Sequence, residues 1–190
     1  MAIEIELKAW VTDPEALKKR LDDLAEFDFA YQKDDVYWGP LCRAPNASPA
    51  GFSLPPSGIR LRRVIRNNED EQLLVTYKVK EVRDGIEVND EREFLVSDRE
   101  AFEDMLSRLA LVPGASKKKK GWSWKKEDLS IELSHVEGLG WFIELEILAM
   151  DSDPETVAKA RSRLLDFLEK TGIAGDRIEP RYYTELLKSV

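Results

Sequence analysis

The chain has 190 residues, of which 43% are hydrophobic and 35% charged, and a formal net charge of −8. That length supports one domain, residues 1–190, with a substantial core, and the acidic balance argues against non-specific nucleic-acid binding, which needs a basic surface. Cys42 is the single cysteine, so no intramolecular disulfide can form; without a leader pattern or an apolar run near the roughly 20 residues that span a bilayer, a cytoplasmic protein away from membranes is expected.

Residues 2–11 alternate strictly. Ile3, Ile5, Leu7 and Ala9 share one face, and Glu4, Glu6 and Lys8 share the other, which is the period of a strand. Asp13 and Pro14 then offer an N-cap and first helical residue, and Leu17, Leu21 and Leu24 carry a helical stripe to about residue 26. Residues 27–38 read as a second strand, and the Pro-, Ser- and Gly-rich stretch 39–58 as a loop. Strands follow at Gly58 to Arg66, Gln72 to Val82 and Ile86 to Val96; Asp84-Gly85 is a hairpin signal between the last two.

Ser97-Asp98-Arg99-Glu100 has the form of a capping box before a helix carrying Phe102, Met105, Leu106 and Leu109. Residues 111–124, 128–136 and 140–148 give further strands, and helices are expected at 153–171 and 177–188. About eight strands joined by short turns, with four helices, indicate an α+β architecture: an antiparallel sheet with helices packed outside.

Charge gathers on one face of several strands. Arg60 and Arg62 oppose Ile59 and Leu61, Lys78 and Lys80 oppose Val79, Glu132 opposes Ile131 and Leu133, and Glu144 and Glu146 oppose Ile143, Leu145 and Ile147. For any one strand, a polar face in water explains this. Taken together, with helices claiming the apolar face, the charged face either lies open or curls into a closed barrel. A barrel of about eight strands can hold one small ligand and has no exposed edge. Cations such as Arg60, Arg62, Lys8 and Lys78 would want a polyanion; clustered carboxylates would want a hard divalent cation. A metal–triphosphate complex satisfies both.

These residues also resemble a known family. Glu4-Ile5-Glu6-Leu7-Lys8 is similar to the ExExK motif of the CYTH superfamily, the triphosphate tunnel metalloenzymes. The likeness continues in order through Asp35-Val36-Tyr37, Arg60-Leu61-Arg62, Thr76-Tyr77-Lys78 and Lys118/Lys120 to Val136-Glu137-Gly138-Leu139-Gly140-Trp141-Phe142-Ile143-Glu144-Leu145-Glu146. The ending Glu179-Pro180-Arg181-Tyr182-Tyr183 looks like the class IV adenylyl cyclase branch.

The resemblance implies a closed antiparallel β-barrel tunnel and gives its residues roles. Glu4, Glu6, Glu144 and Glu146 would hold Mg²⁺ or Mn²⁺. Lys8, Arg60, Arg62, Lys78, Lys118, Lys120 and Arg181 would grip phosphates, with Lys8 and Lys78 also acting in catalysis. The expected activity is metal-dependent hydrolysis of a small-molecule triphosphate (ATP, tripolyphosphate or thiamine triphosphate). The alternatives are cyclic AMP synthesis from ATP and a non-catalytic nucleotide or polyphosphate sensor. A homodimer is compatible with the resemblance.

Two departures stand out. Ser134 takes the place of the family's usual Asp in L-D-x-V, and the R-x-E strand is only loosely matched by Glu91-Arg92-Glu93. Bland readings compete at several positions. Lys117–Lys120 can be a solvated charge run, His135 a structural residue, and Tyr37 and Trp38 packing groups. Arg181 can simply bind a carboxylate, and Asp35 can assist a metal or cap a turn. Trp122 and Trp124 are expected to face a core or a partner, and Cys42 has no base nearby in sequence.

Overall fold

The computed structural model describes residues 3–40, 58–83 and 85–189, and within 78–81 the backbone only. Cys42 and all but the ends of the expected 39–58 loop lie outside the described residues. The strands are β1 (Ile3–Val11), β2 (Glu26–Pro40), β3 (Ile59–Arg66), β4 (Gln72–Arg83), β5 (Ile86–Val96), β6 (Leu111–Lys126), β7 (Leu129–Val136) and β8 (Gly140–Ala149). The helices are α1 (Pro14–Leu24), α2 (Arg99–Arg108), α3 (Pro154–Thr171) and the short α4 (Tyr183–Leu186). No described helix is long and apolar enough to cross a membrane.

The strands close on themselves in the order β1-β5-β4-β3-β2-β6-β7-β8, every neighbouring pair antiparallel. Closure follows from the two faces. The outward residues Ile5, Leu7, Ile131, Leu133, Ile143 and Leu145 are all buried by helices. They pack with Leu17 and Leu21 of α1 and with Leu164, Phe167 and Leu168 of α3. Helix α2 covers a separate patch, where Leu106 meets Leu61, Val75 and Trp38. Each helix starts where local chemistry allows. The Asp13 carboxylate accepts from Ala16 N and the Asp98 carboxylate from Ala101 N, both at 3.0 Å. The cap of α2 is therefore Asp98 rather than Ser97. Helix α3 ends at Gly172 with φ +79°, the left-handed conformation glycine adopts freely.

The expected 177–188 helix is interrupted. Pro180 disfavours helical geometry at Glu179, whose N–H instead donates to Lys8 O at 2.9 Å. The reason lies in β1. Its pairing with β5 stops at Glu6–Glu87, leaving an open edge that Ile178 and Glu179 occupy through an Ala9–Ile178 bridge. The chain then turns into α4, where Tyr183 and Leu186 pack on Val136 and Phe142. Trp10 and Phe142 carry the same strand parity as Lys8 and Glu144, so this apolar cluster closes one end of the charged interior. Ring contacts of 4.1 Å (Trp10–Phe142) and 5.0 Å (Phe142–Tyr183) hold it together.

Candidate active site in the barrel lumen

The barrel encloses a cavity of about 370 Å³. Strand register sorts its charged lining into two arcs. On one side, Glu6 of β1 stands between Glu87 of β5 and Glu146 of β8. Glu144 stands opposite Glu132 of β7 in the same way, and Glu4 lies one inward position from Glu6. On the other side are Arg60 and Arg62 of β3, Lys33 of β2, and Lys117 and Lys119 of β6. A carboxylate wall of β5, β1, β8 and β7 thus faces a cationic wall of β3, β2 and β6.

Ion pairs bind the two walls where they approach. Lys119 Nζ lies 2.8 Å from both Glu132 Oε2 and Glu144 Oε1. Glu144 also accepts from Ser134 Oγ at 3.3 Å and from the Tyr183 hydroxyl at 2.9 Å. Burial alone would raise the Glu144 carboxyl, but the charge and hydrogen bonds of Lys119, joined by the charge of Lys117, together outweigh it and bring it down to about 2. Glu132, held by Lys119 and Lys33 against the same burial, lies well below its ordinary range. Within the cationic wall, Asp35 receives two hydrogen bonds from Arg62 (2.7 and 2.9 Å) and pairs with Lys117 at 3.2 Å. Arg60 donates to Thr76 Oγ1 at 2.7 Å and to Glu91 at 3.4 Å.

Glu146 shows the opposite behaviour. Burial first, and then the charges of Glu4 and Glu6, push its carboxyl up to about 9. Crowded carboxylates of this kind offer oxygen-only ligands, the donor set a hard divalent cation takes. By donor chemistry Glu4, Glu6 and Glu146 therefore fit Mg²⁺ or Mn²⁺. Among the described residues, no three acidic, His or Cys side chains are already drawn into a ligand cage.

Of the residues expected at the site, Glu4, Glu6, Arg60, Arg62, Glu144 and Glu146 line the lumen together. Glu91 and Glu93 line it too. Lys8 is buried on the same face, with Nζ 2.6 Å from Glu87. The side chains of Lys78 and Lys80 are outside the description; their backbone pairs with Glu91 and Asn89. Lys118 and Lys120 depart from expectation: both are exposed, while Lys117 and Lys119 are buried. Lys118 and Lys120 share parity with Trp122 and Trp124, and Trp124 is wholly buried in the outer core with its ring N–H on Asp22 at 2.9 Å. Those tryptophans were the signal that marks the outward face. Arg181 also lies away from the lining. Its side chain is 56% exposed and bonds Glu179 at 2.8 and 2.7 Å.

Several site residues escaped the sequence reading. Lys33 and Tyr183 line the cavity, as does Glu87, which alternation puts on the charged face of its strand but which was given no role. Asp35 proves neither a turn cap nor part of the carboxylate wall; it anchors Arg62 and Lys117. Tyr37 lines the cavity, Trp38 packs under α2, and His135 sits against Trp141 at 5.4 Å.

A closed eight-stranded antiparallel barrel with opposed carboxylate and cationic walls around one cavity defines a tunnel fold. The chain belongs to the CYTH domain family, whose model matches residues 2–183. It is 27% identical over 186 residues to the Methanocaldococcus jannaschii protein named "Putative adenylate cyclase MJ0240", covering 97% of this chain and 98% of that one. Two Pyrococcus horikoshii structures share the fold. The PH1819 protein superposes with a TM-score of 0.80 at 23% identity, covering 98% of each chain. The PH1012 protein superposes with 0.73 at 28%, covering 96% of this chain and 98% of that one.

Proposed function

We propose that the chain is a metal-dependent enzyme that hydrolyses an inorganic or organic triphosphate inside the tunnel. The observation that carries this is the opposition of the two walls: Arg60, Arg62, Lys117 and Lys119 face Glu4, Glu6 and Glu146 across one cavity. A linear triphosphate presents negative oxygens to the first set, and Arg offers paired donors for them. A Mg²⁺ or Mn²⁺ ion held by Glu4, Glu6 and Glu146 would add Lewis-acid polarisation of the phosphoryl oxygens and neutralise charge.

The chain's own groups account for the rest. The arginines and lysines fix the phosphate oxygens and stabilise the charge that grows on them as the P–O bond breaks. Lys119 holds Glu144 ionised, and Tyr183 donates to the same carboxylate, so that wall stays oriented. Lys8, paired with Glu87, stands beside the carboxylate wall, where it can orient the attacking group. In hydrolysis a water oxygen bonds the terminal phosphorus and the bridging P–O bond breaks, giving orthophosphate and the shortened chain.

Cyclic AMP synthesis is the second reading, favoured by the cyclase name of a relative aligned over nearly the whole chain. There the 3′-hydroxyl of ATP attacks the α-phosphorus and pyrophosphate leaves, with the same triphosphate contacts. The deciding experiment incubates the protein with ATP, tripolyphosphate or thiamine triphosphate plus Mg²⁺ or Mn²⁺ and separates the products. Orthophosphate release supports hydrolysis, and cyclic AMP with pyrophosphate supports the cyclase. Tight binding without any product would make the chain a sensor and end the enzymatic reading.

A further inference from the structure

Glu132 differs from the other lumen carboxylates in how it is held. Its Oε2 accepts from the Tyr31 hydroxyl at 2.7 Å and from Lys119 at 2.8 Å, and its Oε1 accepts from Lys33 at 2.5 Å. Lys33 and Lys119 are register partners across β2 and β6, and both are buried. The Tyr31 ring lies 4.2 Å from Lys33 Nζ. Donors from two strands thus converge on one pair of oxygens supplied by a third. Two buried ammonium groups side by side repel each other and need an anion between them. Nothing in that requirement says the anion must belong to the protein. Lys119 would not be stranded without Glu132, because Glu144 also pairs with it at 2.8 Å. Lys33 has Glu132 as its ion-pair partner and would be left to an incoming anion.

We propose that Lys33, Lys119 and Tyr31 form a seat for one phosphate group of the polyphosphate chain, and that Glu132 occupies this seat as an internal competitor which the phosphate displaces. The proposal rests on the triphosphate reading above and extends it. It adds Lys33 to the phosphate-binding groups and makes affinity the outcome of a contest between a carboxylate and a phosphate. Glu132 is placed to yield. It lines the cavity, its side chain is 19% exposed, and the inward neighbours on its own strand are the small Ser130 and Ser134.

The test is calorimetric titration of tripolyphosphate, with chelator present, into the wild type, Glu132→Gln, Lys33→Met and the double variant. Glu132→Gln is expected to bind about tenfold or more tightly than wild type, the scale of a freed charge-assisted hydrogen bond. Lys33→Met is expected to bind more weakly, and in its background Glu132→Gln gains little. Should Glu132→Gln fold poorly, Glu132→Asp keeps the charge but shortens its reach towards Lys33, and it is expected to bind more tightly too. Unchanged or weaker binding in a folded Glu132 variant overturns the proposal. So does an equal gain with Lys33 absent, which would make Glu132 a remote negative charge only. Those results leave the triphosphate reading intact if wild type binds; absence of binding in both wild type and the Glu132 variants with chelator removes the seat, and absence that persists when Mg²⁺ or Mn²⁺ replaces the chelator removes the triphosphate reading as well.

Discussion

Arg62 holds Asp35 from inside the barrel by two hydrogen bonds, Nε to Oδ1 at 2.7 Å and Nη2 to Oδ2 at 2.9 Å. Asp35 is 1% exposed and Arg62 9%. Lys117 meets the same carboxylate. Two cations of the cationic wall are therefore positioned by one buried anion. Asp35→Asn leaves both under-compensated, and breaking a buried pair from one side costs about 3–5 kcal/mol. Urea denaturation should show a loss of that order; a midpoint equal to wild type would mean that the wall is held by other contacts.

Acid should unfold the protein by discharging this framework. Burial would raise Asp35, Glu132 and Glu144, but the facing cations outweigh it and hold all three below their ordinary values, with Glu144 at about 2. A carboxyl whose folded pKa is depressed adds stability above its unfolded pKa, roughly 4. That stability is lost as pH falls through the folded value. The contribution of these three carboxyls should be constant above about pH 5 and fall steeply from about pH 4 towards 2, while Glu146, raised to about 9, makes the denaturation free energy decline as pH rises from about 5 towards 9. The fall should be shallower in Asp35→Asn; equal slopes in the two proteins would contradict the assignment to Asp35.

The lysine run of β6 offers a paired comparison. Lys119 is buried against Glu132 and Glu144, while Lys120, one residue on, is exposed on the outer face. Lys119→Met should lower tripolyphosphate affinity about tenfold or more, and Lys120→Met should change it less than about twofold. The reverse pattern by calorimetry would place the lumen on the other face of β6.

Glu6→Gln tests the carboxylate wall. Glu6 stands between Glu87 and Glu146 in register. The variant should lose metal-dependent turnover of whichever triphosphate the wild type processes, by about a hundredfold or more, and still unfold cooperatively. Full turnover with the normal metal requirement would remove Glu6 from the site.

Gly121 should accept no side chain. A Cβ there would lie 2.1 Å from Leu133 O of the neighbouring strand. Gly121→Ala must push β6 and β7 apart next to the Lys119 pairs, and a cost of about 1–3 kcal/mol is expected. An unchanged melting temperature would show that the two strands have slack the register does not suggest.

Much of the barrel was legible in the sequence because strand alternation is a local property. Glu4, Glu6 and Lys8 declare a charged face within a few residues, as do Arg60 with Arg62 and Glu144 with Glu146. Helix stripes such as Leu164, Leu165 and Leu168 claim the opposite face, so the pattern leaves the charged face either open or curled inward, and the family resemblance implied the closed form that the structure has. Local alternation is silent on two matters. In Lys117–Lys120 both parities are lysine, and the phase was set by Trp122 and Trp124, which the outer core buries or half-buries. The partners of Asp35, Glu132 and Tyr183 are likewise set by strands and a helix distant in sequence. Glu132 and Lys33 are separated by 99 positions and meet only because β7 and β2 flank β6. Residue type and period determined which side chains carry charge inward; closure of the barrel decided which of them meet, because buried charges must find counter-charges across strands.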